Sequence, residues 1–163
     1  AEGPRAIVAN LPYNIATPLL INWLKQLSQD HDSYRSMTLM FQKEVVQRIT
    51  ADISTKAYGR LSVLSQWLCN TRLSFDVPAS AFSPPPKVTS SIAHFKPKNL
   101  QIDQKVNFSN LEKITAAAFG QRRKMIRSSL RDYNQCFEEL GLNPKLRAEN
   151  LTVEQFIDLA RLV

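Results

Sequence analysis

The sequence predicts an α/β sheet followed by a small helical domain, and three observations carry that prediction. Two apolar runs, Arg5–Ala9 and Ser36–Phe41, each lead through a polar break into a helical pattern. Such strand–loop–helix alternation is the mark of an α/β sheet. Two further strand-like segments, Thr71–Val77 and Val88–Phe95, are joined by a proline-rich loop. They suit an antiparallel end to a mostly parallel sheet. After about Gln104 a single proline remains and helical periodicity dominates. The expected division is therefore an α/β portion over 1–97 and a helical portion over 98–163.

Arg5–Ala9 contains Ile7 and Val8 and reads as a buried strand. It must end near Pro12, because proline cannot donate to a sheet ladder. Thr17-Pro18 has the form of an N-cap followed by proline at the first helical position. It predicts a helix to about Gln26 with Leu20, Trp23, Leu24 and Leu27 on one face. Gln29–Arg35 is polar and reads as a surface loop holding a solvated His31. Ser36–Phe41 is a second buried strand, and Gln42-Lys43-Glu44 opens a helix bearing Val45, Val46 and Ile49. Asp52–Ala57 is expected to be a mobile connection. Tyr58–Cys69 is helical, with Leu61, Leu64, Leu68 and Trp67 as inward candidates.

Leu73, Phe75 and Val77 alternate with the period of a half-buried strand. Ala81–Val88 is extended, since three prolines preclude a helix interior. In the next strand Val88, Ser90, Ile92 and His94 fall on one side, and His94 is expected to be a strand residue with a satisfied partner. Phe108–Phe119 suits a helix with Leu111, Ile114, Thr115 and Ala118 inward. Gln121–Leu130, Gln135–Leu140 and Thr152–Leu162 suit three more. Gly120 and Gly141 stand where helices end, and Thr152 with Gln155 fits a capping box.

With 163 residues and 44% hydrophobic composition the chain can build a real core. No run approaches the ~20 apolar residues of a membrane span, and the first residues lack the basic-then-apolar form of a signal segment. A cytoplasmic protein with no membrane partner is expected. Cys69 and Cys136 lie far apart without metal-ligand spacing and read as reduced, buried thiols. The net charge of +7 favours a polyanionic partner. The four glycines, Gly3, Gly59, Gly120 and Gly141, are too scattered to form a glycine-rich nucleotide loop.

Three segments carry candidate chemistry. Asn10-Leu11-Pro12-Tyr13 lies between a strand's carboxyl end and a helix, the edge where open α/β sheets bind ligands. A planar base with an exocyclic amine would suit it. The Asn10 side-chain oxygen and a backbone carbonyl near Leu11 or Pro12 could each accept one amine hydrogen, with Tyr13 as a stacking face. Taken alone, the tetrapeptide reads rather as an ordinary strand-to-helix turn with a caught tyrosine. Phe82-Ser-Pro-Pro-Pro-Lys-Val-Thr-Ser90 is a stiff loop that would hold Phe82 as an opposite wall; the other reading, a polyproline ligand, fits less well between two strands. Gln121–Arg131 holds Arg122, Arg123, Lys124, Arg127 and Arg131 and no acid, and is expected to present a phosphate-binding ridge with Met125, Ile126 and Leu130 packed inward.

Asn10-Leu-Pro-Tyr-Asn-Ile15, Phe41-Gln-Lys-Glu-Val-Val-Gln-Arg48, Tyr58-Gly-Arg-Leu-Ser-Val63, Phe82–Ser90 and Phe119-Gly-Gln-Arg-Arg-Lys124 occur in the order seen in ribosomal RNA adenine dimethyltransferases of the KsgA type. The chain resembles that family over nearly its whole length. The resemblance implies a Rossmann-like, S-adenosylmethionine-dependent methyltransferase sheet followed by a helical RNA-binding domain. It implies dimethylation of N6 at two adjacent adenosines in the 3′-terminal hairpin of 16S rRNA, within a pre-30S particle, by a monomer. By likeness Asn10 touches both cofactor and target amine, Leu11 and Pro12 complete the turn, and Tyr13 and Phe82 sandwich a flipped adenine. Arg122, Arg123, Lys124 and Arg127 would bind RNA; no metal is implied. The glycine-rich cofactor loop of the family has no counterpart here, so the chain looks like the C-terminal three-fifths of such an enzyme and is expected to be inactive alone. Two other readings remain: a large-subunit rRNA methylase of the Erm type, and a non-catalytic ribosome-assembly factor.

Overall fold

The computed structural model describes residues 3–163. They form two compact units, one running to Thr50 and resuming at Leu68–Asn99, the other made of Ala51–Trp67 and Leu100–Val163. The second unit begins its final run at Leu100. It also takes in Ala51–Trp67, which the sequence reading left in the first domain.

The first unit is a four-stranded sheet with helices. Strand β1 (Arg5–Asn10) leads into helix α1 (Tyr13–Gln29); β2 (Tyr34–Gln42) leads into α2 (Lys43–Ile49). Strands β3 (Cys69–Val77) and β4 (Ser90–Pro97) follow. The order is β1-β2-β4-β3. Only β1 and β2 are parallel; β4 runs antiparallel to both β2 and β3. The antiparallel end is therefore present, while among the described residues the sheet is not mostly parallel. The register aligns Ile7, Met37 and Phe95 in one cross-strand row, and Ala9, Leu39 and Ala93 in another. That face is the core: Met37, Leu39, Ala93 and Phe95 are fully buried, as are Leu20, Leu24 and Leu27 of α1 and Val46 and Ile49 of α2.

Several strand and helix expectations shift for physical reasons. Among the described residues β1 pairs on one side only, and Val8 takes the sheet face opposite the core row of Ile7 and Ala9, so it is 80% exposed instead of buried. β3 is the other edge, and a bulge between Leu73 and Phe75 breaks its alternation, leaving both side chains exposed. Val88 precedes β4 and is exposed too. Helix α1 starts at Tyr13, not after Thr17, because extended Pro12 already stops the strand and its carbonyl accepts the Ile15 and Ala16 amides, both at 3.1 Å. Pro18 therefore lies inside the helix, near its start. It removes one backbone hydrogen bond, the one the Asn14 carbonyl would otherwise accept.

In the second unit, α3 (Arg60–Leu68) reaches Trp67, whose indole N–H donates to the Gln104 carbonyl at 2.8 Å. Helices α4 (Phe108–Gly120), α5 (Ile126–Ser129), α6 (Asn134–Glu139) and α7 (Val153–Arg161) follow. The inward face expected of α4 is buried as anticipated, with Leu111, Ile114, Thr115 and Ala118 all at 1% exposure or less. Thr152 and Gln155 form the expected capping box on α7. Gly141 adopts φ +62° after α6, where a side chain would be strained. Tyr58 is buried against Phe119, and its hydroxyl donates to the Leu151 carbonyl at 2.8 Å. Burial, and next the charge of Glu154, push that phenol well above its usual range.

The segment Asp52–Ala57 is tied down instead of loose. The Ser54 amide donates to the Glu149 carbonyl at 2.8 Å, and Arg122 donates to the Thr55 and Lys56 carbonyls at 3.2 and 2.6 Å. Gln121–Leu130 does not form one helix. Gln121–Lys124 is a turn, Met125 bridges to Arg147, and only the four residues of α5 are helical. Met125 is consequently exposed, while Ile126 and Leu130 pack inward as expected.

Candidate functional site

Asn10 closes β1 opposite Met40 of β2, so both side chains project to the same face of the sheet. The chain then turns at Leu11-Pro12. Since the Pro12 carbonyl is taken by the first amides of α1, the Leu11 carbonyl is the acceptor this turn leaves available. Tyr13 is the first residue of α1 and is partly exposed.

The opposite wall comes from the β3–β4 connection. A 3₁₀ turn at Ala79–Ala81 places Phe82 in extended backbone at φ −114°, ψ 152°. Ser83–Pro84 is cis. Asn10, Leu11, Pro12, Tyr13 and Phe82, the five candidates from the sequence, line one open cavity of about 360 Å³ together with Met40, Pro84 and Pro86. Met40 escaped the sequence reading because it sits in an apolar strand that looks wholly like core. Only the pairing with Asn10 reveals which face it takes. The lining is apolar apart from the Asn10 amide, the Tyr13 hydroxyl and backbone carbonyls, the makeup of a site for a flat, weakly polar ligand.

The base of this loop is held rigidly. The Lys43 amide donates to the Thr89 carbonyl at 2.9 Å. Ser91 Oγ donates to Asp76 Oδ1 and Lys43 Nζ to Asp76 Oδ2, each at 2.7 Å. The Lys43 hydrogen bond, then that from Ser91, holds the Asp76 carboxyl below its usual range. Between these two anchors the Ser90 hydroxyl, fully buried, is hydrogen-bonded to the Tyr13 hydroxyl. A larger cavity of about 600 Å³ lies near Arg5 and Tyr34, at the amino ends of β1 and β2. Ligands of open α/β sheets bind at the carboxyl ends, so the smaller cavity is the better candidate.

The basic residues divide. Arg122, besides its two carbonyl partners, lies 3.4 Å from Glu149, and so serves the fold of the Asp52–Ala57 segment. Arg123, Lys124 and Arg127 are exposed. Lys124, Arg127 and Arg131 line a cavity of about 590 Å³ with Gln121, Ser128 and Ser129. Asp132, 4.0 Å from Arg131, adds one carboxylate to it. Cys69 and Cys136 are free and buried as expected, and burial pushes the Cys69 thiol up to about 12 against the opposing pull of Lys98. Among the described residues no His, Cys, Asp or Glu cluster suits a metal ion, and no helix is long and apolar enough to cross a membrane.

A cavity walled by Asn-Leu-Pro-Tyr and the Phe82 loop, on one chain with an exposed cluster of cations, narrows the comparison with known proteins. The family described as "Ribosomal RNA adenine dimethylase" matches residues 2–163. The chain belongs to that family. Ribosomal RNA small subunit methyltransferase A of Rhodospirillum rubrum is 50% identical over 165 residues, covering 99% of this chain and 56% of its own length. The protein of the same name from Mesorhizobium japonicum is 49% identical, covering 100% and 58%. This family member thus spans little more than half the length of these curated relatives. Among solved structures, a dimethyladenosine transferase from Plasmodium falciparum superposes with TM-score 0.79 at 25% identity, over 95% of this chain and 65% of that one. The 23S rRNA methyltransferase ErmE superposes at TM-score 0.63 and 21% identity, over 98% and 65%, a likeness of fold alone.

Proposed function

We propose that this chain supplies the methyl-acceptor pocket and the RNA-binding surface of an S-adenosylmethionine-dependent rRNA adenine N6,N6-dimethyltransferase. Its target would be two adjacent adenosines in the 3′-terminal hairpin of 16S rRNA, met in the cytoplasm within a pre-30S particle, with the enzyme acting as a monomer. The observation that carries this reading is the convergence of Asn10, Leu11, Tyr13 and Phe82 on one cavity at the carboxyl end of β1.

The chemistry requires exposing a poor nucleophile. An adenine N6 lone pair is delocalised into the ring, and in a helix the amine is held in the stack. Asn10 Oδ1 and the Leu11 carbonyl each accept one N6 hydrogen, drawing the nitrogen toward tetrahedral geometry with its lone pair free. Tyr13 and Phe82 stack on the two faces of the flipped base; such stacking contributes roughly 1–3 kcal/mol per base. No strong base is needed, since the N6 proton becomes acidic once nitrogen carries the new bond. The lining agrees: its one titratable side chain is the Tyr13 phenol, which Ser90 already engages.

S-adenosylmethionine, when bound, supplies an electrophilic methyl carbon. The residues fit it sparingly. Asn10 offers a carboxamide at the cavity, but Gly3 precedes β1 and Gly59, Gly120 and Gly141 all belong to the second unit. No glycine cradle is assembled among the described residues.

The test uses this chain in place of the matching segment of the Rhodospirillum rubrum relative. Asn10→Ala should lower methyl transfer to unmodified small subunits by about 100-fold or more, as loss of a positioned polar partner does elsewhere. Subunit binding should stay within a few-fold of wild type. Unchanged methyl transfer would overturn the role given to Asn10, while loss of binding alongside activity would mean that docking and chemistry share one site and would weaken the non-catalytic alternative.

A further inference from the structure

We propose that Ser90 is a positioning residue of the base pocket, whose buried hydroxyl sets the tilt of the Tyr13 ring against Phe82. The inference rests on the reading of this cavity as a base site, and adds to it a residue, Ser90, that the reading does not name. β1 and β4 are not neighbours, because β2 lies between them. The Asn10–Tyr13 turn and the Phe82 loop therefore belong to different parts of the sheet. The Tyr13–Ser90 hydrogen bond joins them directly.

Of the two partners, Ser90 is the fixed one. Its backbone pairs with Gln42 on one side and Val77 on the other, and its side chain is fully buried. Its neighbours are anchored as well, Thr89 through the Lys43 amide and Ser91 through Asp76. Tyr13, by contrast, opens a helix and is partly exposed. Its ring has two free torsions unless the hydroxyl is held. A stacking partner is useful only when its plane is set before the base arrives. A buried serine at the first position of a central strand needs a polar partner in any case. Here that partner is the one aromatic hydroxyl in the cavity, so satisfying Ser90 and orienting Tyr13 are one event.

The experiment separates stacking from general RNA affinity. This chain is titrated into a short single-stranded RNA carrying 2-aminopurine. Fluorescence anisotropy reports affinity, which the basic surface supplies, and emission quenching reports stacking on the aromatic walls. Wild type should quench on binding and Tyr13→Ala should not. Tyr13→Phe and Ser90→Ala should each reduce the quench by about half or more, with affinity changed less than twofold. The double variant Tyr13→Phe/Ser90→Ala should be no worse than either single one. A folding defect in Ser90→Ala would lower its thermal midpoint, and Tyr13→Phe, at a partly exposed position, tests the same bond without touching Ser90. Wild-type quenching in both single variants, or losses that add in the double, would overturn the proposal. Absence of a quench in wild type, or its survival in Tyr13→Ala, would instead overturn the base-pocket reading and this proposal with it.

Discussion

His94 faces Thr38 across the β2–β4 pair, with its Nδ1 2.9 Å from the threonine hydroxyl. The sequence reading expected such a satisfied strand histidine from its place in an alternating run, and could not name the partner, which depends on register. Burial, then the nearby Arg72, then Lys96, hold its pKa below the ordinary value of 6.5. The sign follows from linkage: the unfolded chain takes up a proton on His94 at a higher pH than the folded chain does. Stability contributed by neutral His94 is thus complete above about 6.5 and is lost as pH falls below that value toward the depressed folded one. Asp76, also depressed, adds to acid lability only below its ordinary 3.8. The thermal midpoint should therefore fall between pH 7 and 5, and His94→Gln should fall less over the same range. Parallel pH profiles for the two proteins would remove His94 as the cause.

The basic segment shows what periodicity alone misses in an element. Gln121–Leu130 reads as helical by spacing, but Arg122 is drawn to the Thr55 and Lys56 carbonyls and Met125 bridges to Arg147. Both partners are distant in sequence, so nothing in the local pattern announces them. α4, whose apolar face packs without such competition, was legible almost to the residue, as was the capping box of α7. On the proposed RNA-binding reading, the like charges divide their labour. Replacing Lys124, Arg127 and Arg131 together by alanine should flatten the dependence of log affinity on log salt by about 2, at roughly 0.7 per single-strand phosphate contact. Arg122→Ala should alter that slope little and instead speed hydrogen exchange in Asp52–Ala57. Equal slope changes for Arg122 and for each of the three would return it to the ridge.

The division of the whole chain was only half legible, and the reason is topological. A fall in proline content marks the run that begins at Leu100, but Ala51–Trp67 lies between two strand-forming segments and still belongs to the second unit. Composition reads along the chain and cannot see such a return. The edges were hidden for a similar reason: Arg5–Asn10 has the composition of a buried strand and occupies an edge. The candidate cavity was legible because its two walls are short, proline-containing segments whose residues lie together within a few positions of one another. A cofactor cradle would have to be equally local, and the glycines that might build one are dispersed. With Asn10 as the sole described contact we assign to S-adenosylmethionine, this chain alone should bind it too weakly for calorimetry at tens of micromolar protein to detect. It should transfer no methyl groups above background, while the same segment set in the Rhodospirillum rubrum relative should do both. Micromolar S-adenosylmethionine binding by the isolated chain would show that its residues hold the methyl donor without a glycine loop.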